Sequence, residues 1–245
     1  MNEHKPARAV ILAAGMGTRL RPLTENLPKP MVPVCGRPII TTILDGLRLA
    51  GIDEIHIVCG WKKERLFALK ETYPEVQFIE NPDFETANNI SSILCAGDLL
   101  RDALVVEGDL YFRNPAVFQH IGQVSNYLAF PVPQSDDWCF FTEDAEYKHR
   151  ITRMAVGSAG RPCWQMVGCS YWTAEDGERL LHDAREVYDA PGGHARYWDE
   201  IALDAHIGEY DIRVRPCAAD DVIEIDTVEE LHALEAVLRK GNRMV

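Results

Sequence analysis

The chain has 245 residues, of which 47% are hydrophobic and 26% are charged, so it is long enough to bury a substantial core. Its formal net charge of -13 argues against duplex nucleic acid or an anionic membrane as the partner, because such binders present a basic face. Seven cysteines without a C-x-x-C pair argue against a zinc site or a disulfide framework and indicate reduced thiols.

The N-terminal residues do not have the pattern of an export signal. "MNEHKPAR" leads into only a short apolar run. No stretch of the sequence approaches the roughly 18 consecutive apolar residues of a membrane span. We therefore expect a cytoplasmic protein that does not insert into a membrane.

Strand-length apolar runs alternate with segments of helical periodicity in the first half of the chain. The predicted strands are "RAVILAA", "EIHIVCG", "VQFIEN" and "ALVVEGD". The predicted helices are "IITTILDGLRLAG", which Gly51 is placed to end, "KKERLFALKETY" and "NNISSILCAGDLL". This alternation predicts a mostly parallel sheet with helices on both faces.

The pattern changes after about position 130. "WCFFTEDAEYKHRITRMAV" and "CWQMVGCSYWT" are typical of longer antiparallel strands, and "AEDGERLLHDAREVYDA" and "YWDEIALDAH" have helical spacing. "DIRVRPC" and "DVIEID" are predicted late strands, and Thr227 and Glu230 form a capping box for a final helix. We expect one α/β domain over 1–245, with a mixed second half.

A glycine-rich loop with basic residues follows the first predicted strand. Gly15 and Gly17 would let backbone N–H groups approach an anion closely. The P-loop pattern is absent, and the dinucleotide pattern G-x-G-x-x-G fails at Leu20. Arg19 follows at once, and prolines on both sides of Lys29 restrict its backbone. Cations fixed beside a glycine turn suit a polyphosphate, although a simple turn with solvated arginines would show the same glycines.

The stretch "LAAGMGTRLRPLTENLPKPMVPV" resembles the signature of nucleotidyltransferases that act on sugar phosphates and related phospho-compounds. The resemblance implies a Rossmann-like three-layer α/β/α fold, with a nucleotide-binding half over 8–130 and an acceptor-binding and metal-completing half over 131–245. It also implies two catalytic cations: Arg19 on the leaving pyrophosphate and Lys29 near the α-phosphate and the incoming phosphate. The nucleotide-binding residues that it implies in the loop are Ala13, Ala14, Gly15, Met16, Gly17, Thr18 and Arg19.

Carboxylates in two distant segments are candidate metal ligands. Asp109 follows a predicted parallel strand, at the sheet edge where ligands bind, and could hold Mg²⁺ or simply make a turn. Glu224 and Asp226 alternate around Ile225, so both lie on one face of a strand, although Asp226 or Thr227 could instead cap the last helix. The resemblance implies Asp109 and Asp226 as Mg²⁺ ligands, with Glu224 as a further candidate.

Three further segments narrow the resemblance. "ANNISS", "YWDE" and "EIDTVEELHALE" are similar to the bacterial choline-phosphate cytidylyltransferases. This similarity implies transfer of CMP from CTP to phosphocholine, a small phosphorylated amino-alcohol, which gives CDP-choline and pyrophosphate. The amides of Asn88 and Asn89 could read a pyrimidine, or they could cap the helix that follows.

A quaternary ammonium neither donates nor accepts hydrogen bonds, so its pocket should combine aromatic rings with a carboxylate. Trp138 stands near Asp136, and Tyr197 and Trp198 precede Asp199, although aromatic residues in such elements also serve as core. A primary ammonium, as in 2-aminoethylphosphonate or phosphoethanolamine, would instead need several carboxylates as acceptors. The chain offers Asp136, Asp137, Asp199 and Glu200.

Two other functions fit the same fold. One is an enzyme with another acceptor, such as an aminophosphonate or a sugar 1-phosphate. The other is a non-catalytic nucleotide sensor. The complete set of Arg19, Lys29, Asp109 and Asp226 favours an enzyme, because a sensor does not need every reactive group.

Overall fold

A computed structural model of the chain describes residues 4–143 and 149–241. Its α-helices are α1 (Ile39–Leu49), α2 (Ile90–Ala96), α3 (Ala174–Asp189) and α4 (Val228–Gly241). Its strands are β1 (Arg8–Ala13), β2 (Pro33–Val34), β3 (Arg37–Pro38), β4 (Ile55–Cys59), β5 (Val76–Glu80), β6 (Ala103–Glu107), β7 (Leu110–Phe112), β8 (Asn126–Val132), β9 (Trp138–Thr142), β10 (Ile151–Val156), β11 (Cys163–Trp172), β12 (Arg213–Pro216) and β13 (Val222–Glu224).

A mixed sheet of nine strands, counted within the described ranges, forms the centre of the fold. Strand β1 pairs in parallel with β4 and β6, and β4 pairs in parallel with β5. Strand β11 then continues the sheet from β6 in antiparallel pairing and also contacts β8 and β9. The predicted parallel front half and the mixed second half are therefore both confirmed.

The central sheet is covered on both faces, as its first strand shows. Ile11 of β1 packs in one core cluster with Ile40 and Leu44 of α1. Its neighbour Val10 packs in a second cluster with Ile93 of α2 and with α3. Side chains of a strand alternate between the two faces, so β1 contributes to both cores and the three-layer arrangement follows.

A third, smaller cluster joins the glycine loop to the C-terminal helix. Leu20, from the segment after β1, packs with Ile225 and with Leu231 of α4. The residues on either side of Ile225 are carboxylates, so this packing holds them against the loop. The predicted capping box begins α4, with Glu230 Oε2 accepting from the Thr227 N–H at 2.8 Å and Thr227 Oγ1 accepting from the Glu230 N–H at 3.2 Å.

Some elements differ from the prediction in type or length. The segment Lys63–Glu71 is a run of 3-10 turns, and Ile201–Ala205 is a single π-helical turn, where α-helices were expected. The long predicted strand from Trp138 is a β9–β10 hairpin, and positions 144–148 within that prediction lie outside the described residues. All seven cysteines are free, and no helix in the described part of the chain is both long and apolar enough to cross a membrane.

Candidate active site

The loop after β1 is shaped by Gly17, which has φ 59° and ψ 40°. This left-handed backbone favours glycine, and an added Cβ would lie only 3.0 Å from the Cβ of Lys29. The carbonyl of Gly17 accepts a hydrogen bond from Thr24 Oγ1 at 2.7 Å. Gly17 therefore allows the loop backbone to pack closely against Lys29, one of the two predicted catalytic cations.

Lys29 lies between two carboxylates from distant parts of the chain. Its Nζ donates to Asp109 Oδ2 and to Asp226 Oδ1, each at 2.6 Å. The other oxygen of Asp226 lies 2.8 Å from the guanidinium of Arg19, whose side chain is 71% exposed. The structure thus brings together Arg19, Lys29, Asp109 and Asp226, as the sequence predicted.

The same carboxylates have the composition of a metal site. One oxygen each from Asp109, Glu224 and Asp226 lie within 4.8 Å of one another. The second oxygen of Asp109, Oδ1, is buried and has no hydrogen-bond partner among the described residues. A buried carboxylate oxygen without a donor fits a metal ligand, and an all-carboxylate donor set suits a hard cation such as Mg²⁺. These residues therefore fit a divalent metal.

Charges in this cluster shift the pKa values of its members. Burial lowers the pKa of Lys29, but the carboxylates of Asp109 and Asp226 outweigh that effect and leave it above its ordinary value. Desolvation in the cleft, followed by the charges of Asp109 and Asp226, raises the pKa of Glu224 to about 8. The raised pKa of Glu224 therefore reflects burial and the negative charge of its two neighbours, and a cation bound by these carboxylates would oppose that effect.

A cavity of about 810 Å³ extends from the glycine loop across the edge of the sheet. Ala14, Gly15 and Arg19 line one end, and Asn88 and Asn89 line its side. A smaller adjoining space of about 270 Å³ is lined by Ala13, Gly17, Thr18, Arg19, Lys29 and Asp226. Met16, which was also predicted to bind the nucleotide, lines neither space.

An aromatic pair lies at the other end of the cavity. Trp138 and Tyr197 line it with their ring centroids 6.1 Å apart and their planes at 66°. Asp137, Asp199 and Glu200 line the same end. Burial raises the pKa of Asp199 to about 7, although the hydroxyl of Tyr127 donates to its carboxylate at 2.8 Å. The loop end of the cavity therefore holds Arg19 and Lys29 together with the carboxylates of the candidate metal site, whereas the far end is acidic and aromatic.

Two residues that were predicted to bind the acceptor do not line the main cavity. Trp198 has no exposed surface and packs in the core, with its ring stacked on Tyr127 at 5.8 Å. It lies behind the cavity wall because its flat apolar ring fills the space between strands and helices. Asp136 borders a neighbouring pocket of about 550 Å³ and not the main cavity, where Asp137 takes the place beside Trp138.

The two predicted base-reading asparagines line the cavity, but their amides are engaged by the protein. Asn88 Nδ2 donates to the carbonyl of Ala195 at 3.2 Å. Asn89 Oδ1 accepts from the Trp198 N–H at 2.9 Å, and its Nδ2 donates to Glu107 Oε1 at 3.4 Å. Asn89 is the N-cap residue of α2, but its side chain makes no capping hydrogen bond.

Sequence reasoning missed Glu107, which also lines the cavity. Burial, followed by the charges of Asp199 and Asp109, raises its pKa well above the ordinary value. An added Cβ at Gly168 would overlap its carboxylate, so Gly168 leaves room for this side chain. One signal was available, since Glu107 and Asp109 are two residues apart at a strand end and so share a face.

Comparisons with known proteins agree with this geometry. Residues 8–137 match the family model described as nucleotidyl transferase. The chain is 36% identical to a 2-aminoethylphosphonate cytidylyltransferase of Lancefieldella rimae, over 93% of this chain and 91% of that protein. It is 31% identical to a choline-phosphate cytidylyltransferase of Streptococcus pneumoniae, over 96% of this chain and 100% of the relative.

Solved structures show the same fold. The CTP:phosphocholine cytidylyltransferase of Streptococcus pneumoniae superposes with a TM-score of 0.86 at 30% identity, covering 95% of this chain and 99% of that one. A Bacillus anthracis protein assigned as a glucose-1-phosphate thymidylyltransferase gives 0.74 at 16% identity, with 95% of each chain covered, which shows the fold alone. The glycine loop, the carboxylates at the strand ends and these similarities show that the chain belongs to the nucleotidyl transferase family.

Proposed function

We propose that this chain is a Mg²⁺-dependent cytidylyltransferase whose acceptor is a small phosphate or phosphonate with an ammonium group, phosphocholine being the first candidate. The observation that carries the proposal is the division of the cavity into an end with two cations and candidate metal ligands and an end with aromatic rings and carboxylates. Arg19 and Lys29 lie at one end, where a nucleotide triphosphate would be neutralised. Trp138, Tyr197 and carboxylates lie at the other, where an ammonium group would be bound.

The reaction that fits this arrangement is an in-line displacement. A phosphate oxygen of the acceptor forms a bond to the α-phosphorus of CTP, and the bond from that phosphorus to the bridging oxygen breaks, so that pyrophosphate leaves. The acceptor oxygen is already anionic near neutral pH, so no strong general base is needed. Arg19 and Lys29 align the phosphates and neutralise the charge that spreads over them. When bound on Asp109 and Asp226, Mg²⁺ supplies further positive charge at the phosphates.

Phosphocholine is supported by the aromatic pair, because Trp138 and Tyr197 lie 6.1 Å apart with their rings edge to face. A trimethylammonium group gains from aromatic faces and needs no hydrogen-bond acceptor. The choline-phosphate relative, aligned over 96% of this chain, also supports it.

A second candidate is 2-aminoethylphosphonate, and a specific observation favours it. Three carboxylates, Asp137, Asp199 and Glu200, line the acceptor end, whereas Trp198 is withdrawn into the core and leaves only two rings there among the described residues. A primary ammonium donates three hydrogen bonds and is better served by oxygens. The relative that acts on this phosphonate is 36% identical.

Pyrophosphate release with CTP and Mg²⁺ across a panel of acceptors tests the proposal. The panel contains phosphocholine, 2-aminoethylphosphonate, phosphoethanolamine and glucose 1-phosphate. Highest kcat/KM for an ammonium-bearing acceptor is expected, and preference for the sugar phosphate would contradict it. Nucleotide binding without turnover on any acceptor would instead favour a sensor.

The Trp138→Ala variant tests, in the same assay, whether the Trp138 ring binds a quaternary ammonium group. Trp138→Phe is its control. We expect Trp138→Ala to lower kcat/KM for phosphocholine by roughly threefold to thirtyfold, the range of a cation–π contact. Trp138→Phe retains an aromatic face and should lose less. An equal loss in both variants, or none in either, would remove this ring from acceptor recognition.

A further inference from the structure

The side chain of Asn89 links two parts of the protein that approach the cavity from different sides. Its Oδ1 accepts from the backbone N–H of Trp198 at 2.9 Å, and its Nδ2 donates to Glu107 Oε1 at 3.4 Å. Glu107 ends the central strand β6, whereas Trp198 belongs to the loop after α3. Both polar atoms of the amide are therefore held by protein groups, which fixes its orientation.

The preceding residue adds further hydrogen bonds to the same loop. The backbone N–H of Asn88 donates to the carbonyl of His194 at 2.7 Å. Its Nδ2 donates to the carbonyl of Ala195 at 3.2 Å. The loop 194–198 is thus hydrogen-bonded to the start of α2 through its own backbone groups. These bonds do not depend on which side chains the loop carries.

Trp198, the loop residue to which Asn89 is hydrogen-bonded, holds the adjacent cavity wall in place. Trp198 is fully buried, and its indole N–H lies 3.5 Å from Glu107 Oε1. Its neighbours in sequence, Tyr197 and Asp199, both line the cavity. Tyr127, on which the Trp198 ring stacks, donates its hydroxyl to Asp199. A displacement of Trp198 would therefore move the cavity wall on both sides of it.

We propose that Asn89 is a positioning residue for acceptor recognition, which acts through Trp198 to place Tyr197 and Asp199, and that it does not select the pyrimidine. The inference rests on the proposed function, because it takes the acceptor to bind between Tyr197 and Trp138. A binding wall must be held within about 0.5 Å by supporting hydrogen bonds and packing to be effective. Asn89 supplies such support from the nucleotide-binding half.

Steady-state kinetics of Asn89→Ala test the inference. Loss of this hydrogen-bonded link should raise KM for the acceptor by about tenfold, while KM for CTP stays within about twofold of the wild type. Thr86→Ala is the control, because Thr86 is exposed in the same connection and, among the described residues, its hydrogen bonds go only to Asp83. The reverse pattern, a raised KM for CTP with an unchanged KM for the acceptor, would show that Asn89 reads the base and would overturn the inference.

Hydrogen exchange gives a readout that does not depend on turnover. The Trp198 amide should exchange faster in Asn89→Ala than in the wild type or in Thr86→Ala, with β1 equally protected in all three. If Asn89→Ala does not fold, Asn89→Ser replaces it, since serine is a favoured N-cap residue but is too short for both contacts. Unchanged exchange at Trp198 overturns the inference. If the wild type itself turns over no acceptor, the proposed function fails while exchange still decides the role of Asn89.

Discussion

The ammonium nitrogen of Lys29 lies 2.6 Å from Oδ2 of Asp109, although the two residues are 80 positions apart in the chain. The same nitrogen lies 2.6 Å from an oxygen of Asp226, near the C-terminus. One buried ammonium group therefore occupies the space between two carboxylates that a metal ion would share. Lys29 and a metal ion bound by these carboxylates would have the same partners, so each should affect the binding of the other.

Replacement of Lys29 by alanine should lower kcat by on the order of a hundredfold or more, the scale seen when one preorganised electrostatic group is removed from a reaction site. Pyrophosphate release at saturating CTP and acceptor measures the change. Lys70→Ala is the control, because Lys70 is exposed and lines neither space of the site. Near-normal turnover in Lys29→Ala would remove this lysine from the chemistry.

Replacement of Lys29 by methionine should strengthen Mg²⁺ binding in the absence of nucleotide by about tenfold, because two cations cannot share the same carboxylate oxygens without repulsion. Methionine keeps much of the lysine length without its charge. Isothermal titration calorimetry with MgCl₂ measures the dissociation constant.

The double variant Lys29→Met with Asp109→Asn is the control for that measurement. The double variant should not show the stronger Mg²⁺ binding, since Asp109 supplies the buried oxygen that has no partner among the described residues. An unchanged affinity for Mg²⁺ in Lys29→Met alone would mean that the metal is held by other groups.

Acceptor binding should weaken below pH 7, because the carboxyl group of Asp199 becomes protonated there. Burial raises the pKa of this carboxyl to about 7 from its ordinary value near 3.8. Above pH 7 it is charged and attracts an ammonium group; below pH 7 it becomes neutral, and kcat/KM for the acceptor should fall by up to about tenfold per pH unit.

The Asp199→Asn variant separates this effect from titration of the acceptor phosphate, which has its own pKa near 6. Asparagine keeps an oxygen for the hydroxyl of Tyr127, so the wall should remain in place. The variant should have a lower kcat/KM above pH 7 and a flatter profile. A pH profile identical to that of the wild type would exclude Asp199 as the group responsible.

Loss of the cap on α4 should destabilise the protein. Thr227→Ala removes the Oγ1 that accepts from the Glu230 N–H at 3.2 Å, and we expect the free energy of unfolding to fall by about 1 kcal/mol. Urea unfolding measures it, with Thr86→Ala as the comparison. Because Glu230 also binds the Asp226 N–H at 2.8 Å, turnover should change little. An unchanged unfolding midpoint would contradict the capping role.

The front half of the fold could be predicted from local patterns because its strands are short, apolar and separated by helices. Strands β1, β4, β5 and β6 lie within one residue or two of the runs that predicted them. The segment Lys63–Glu71 was predicted less well, because it was expected to be a helix from its local pattern and forms 3-10 turns.

The candidate site was predicted where the signal was local or strongly patterned. The residues Arg19 and Lys29 follow a glycine turn, and Glu224 and Asp226 lie on either side of Ile225 at the end of β13. The acceptor end was predicted less well, because a tryptophan beside an aspartate has the same local pattern in a cavity wall and in a core. For this reason Trp198 and Asp136 were expected in the acceptor pocket but do not line the main cavity, and Glu107 was missed at the end of an apolar run.

The amino-acid sequence by itself determined the family, the glycine loop and the acids Asp109 and Asp226 that follow β6 and β13, because backbone conformation and side-chain alternation depend on near neighbours. Only the tertiary structure decided which of these groups share one space. Packing of Ile225 and Leu231 against Leu20 places Asp226 beside Lys29, and burial of Trp198 places Tyr197 and Asp199 on the cavity wall. Such contacts between distant segments depend on how whole elements pack, which no short stretch of sequence encodes.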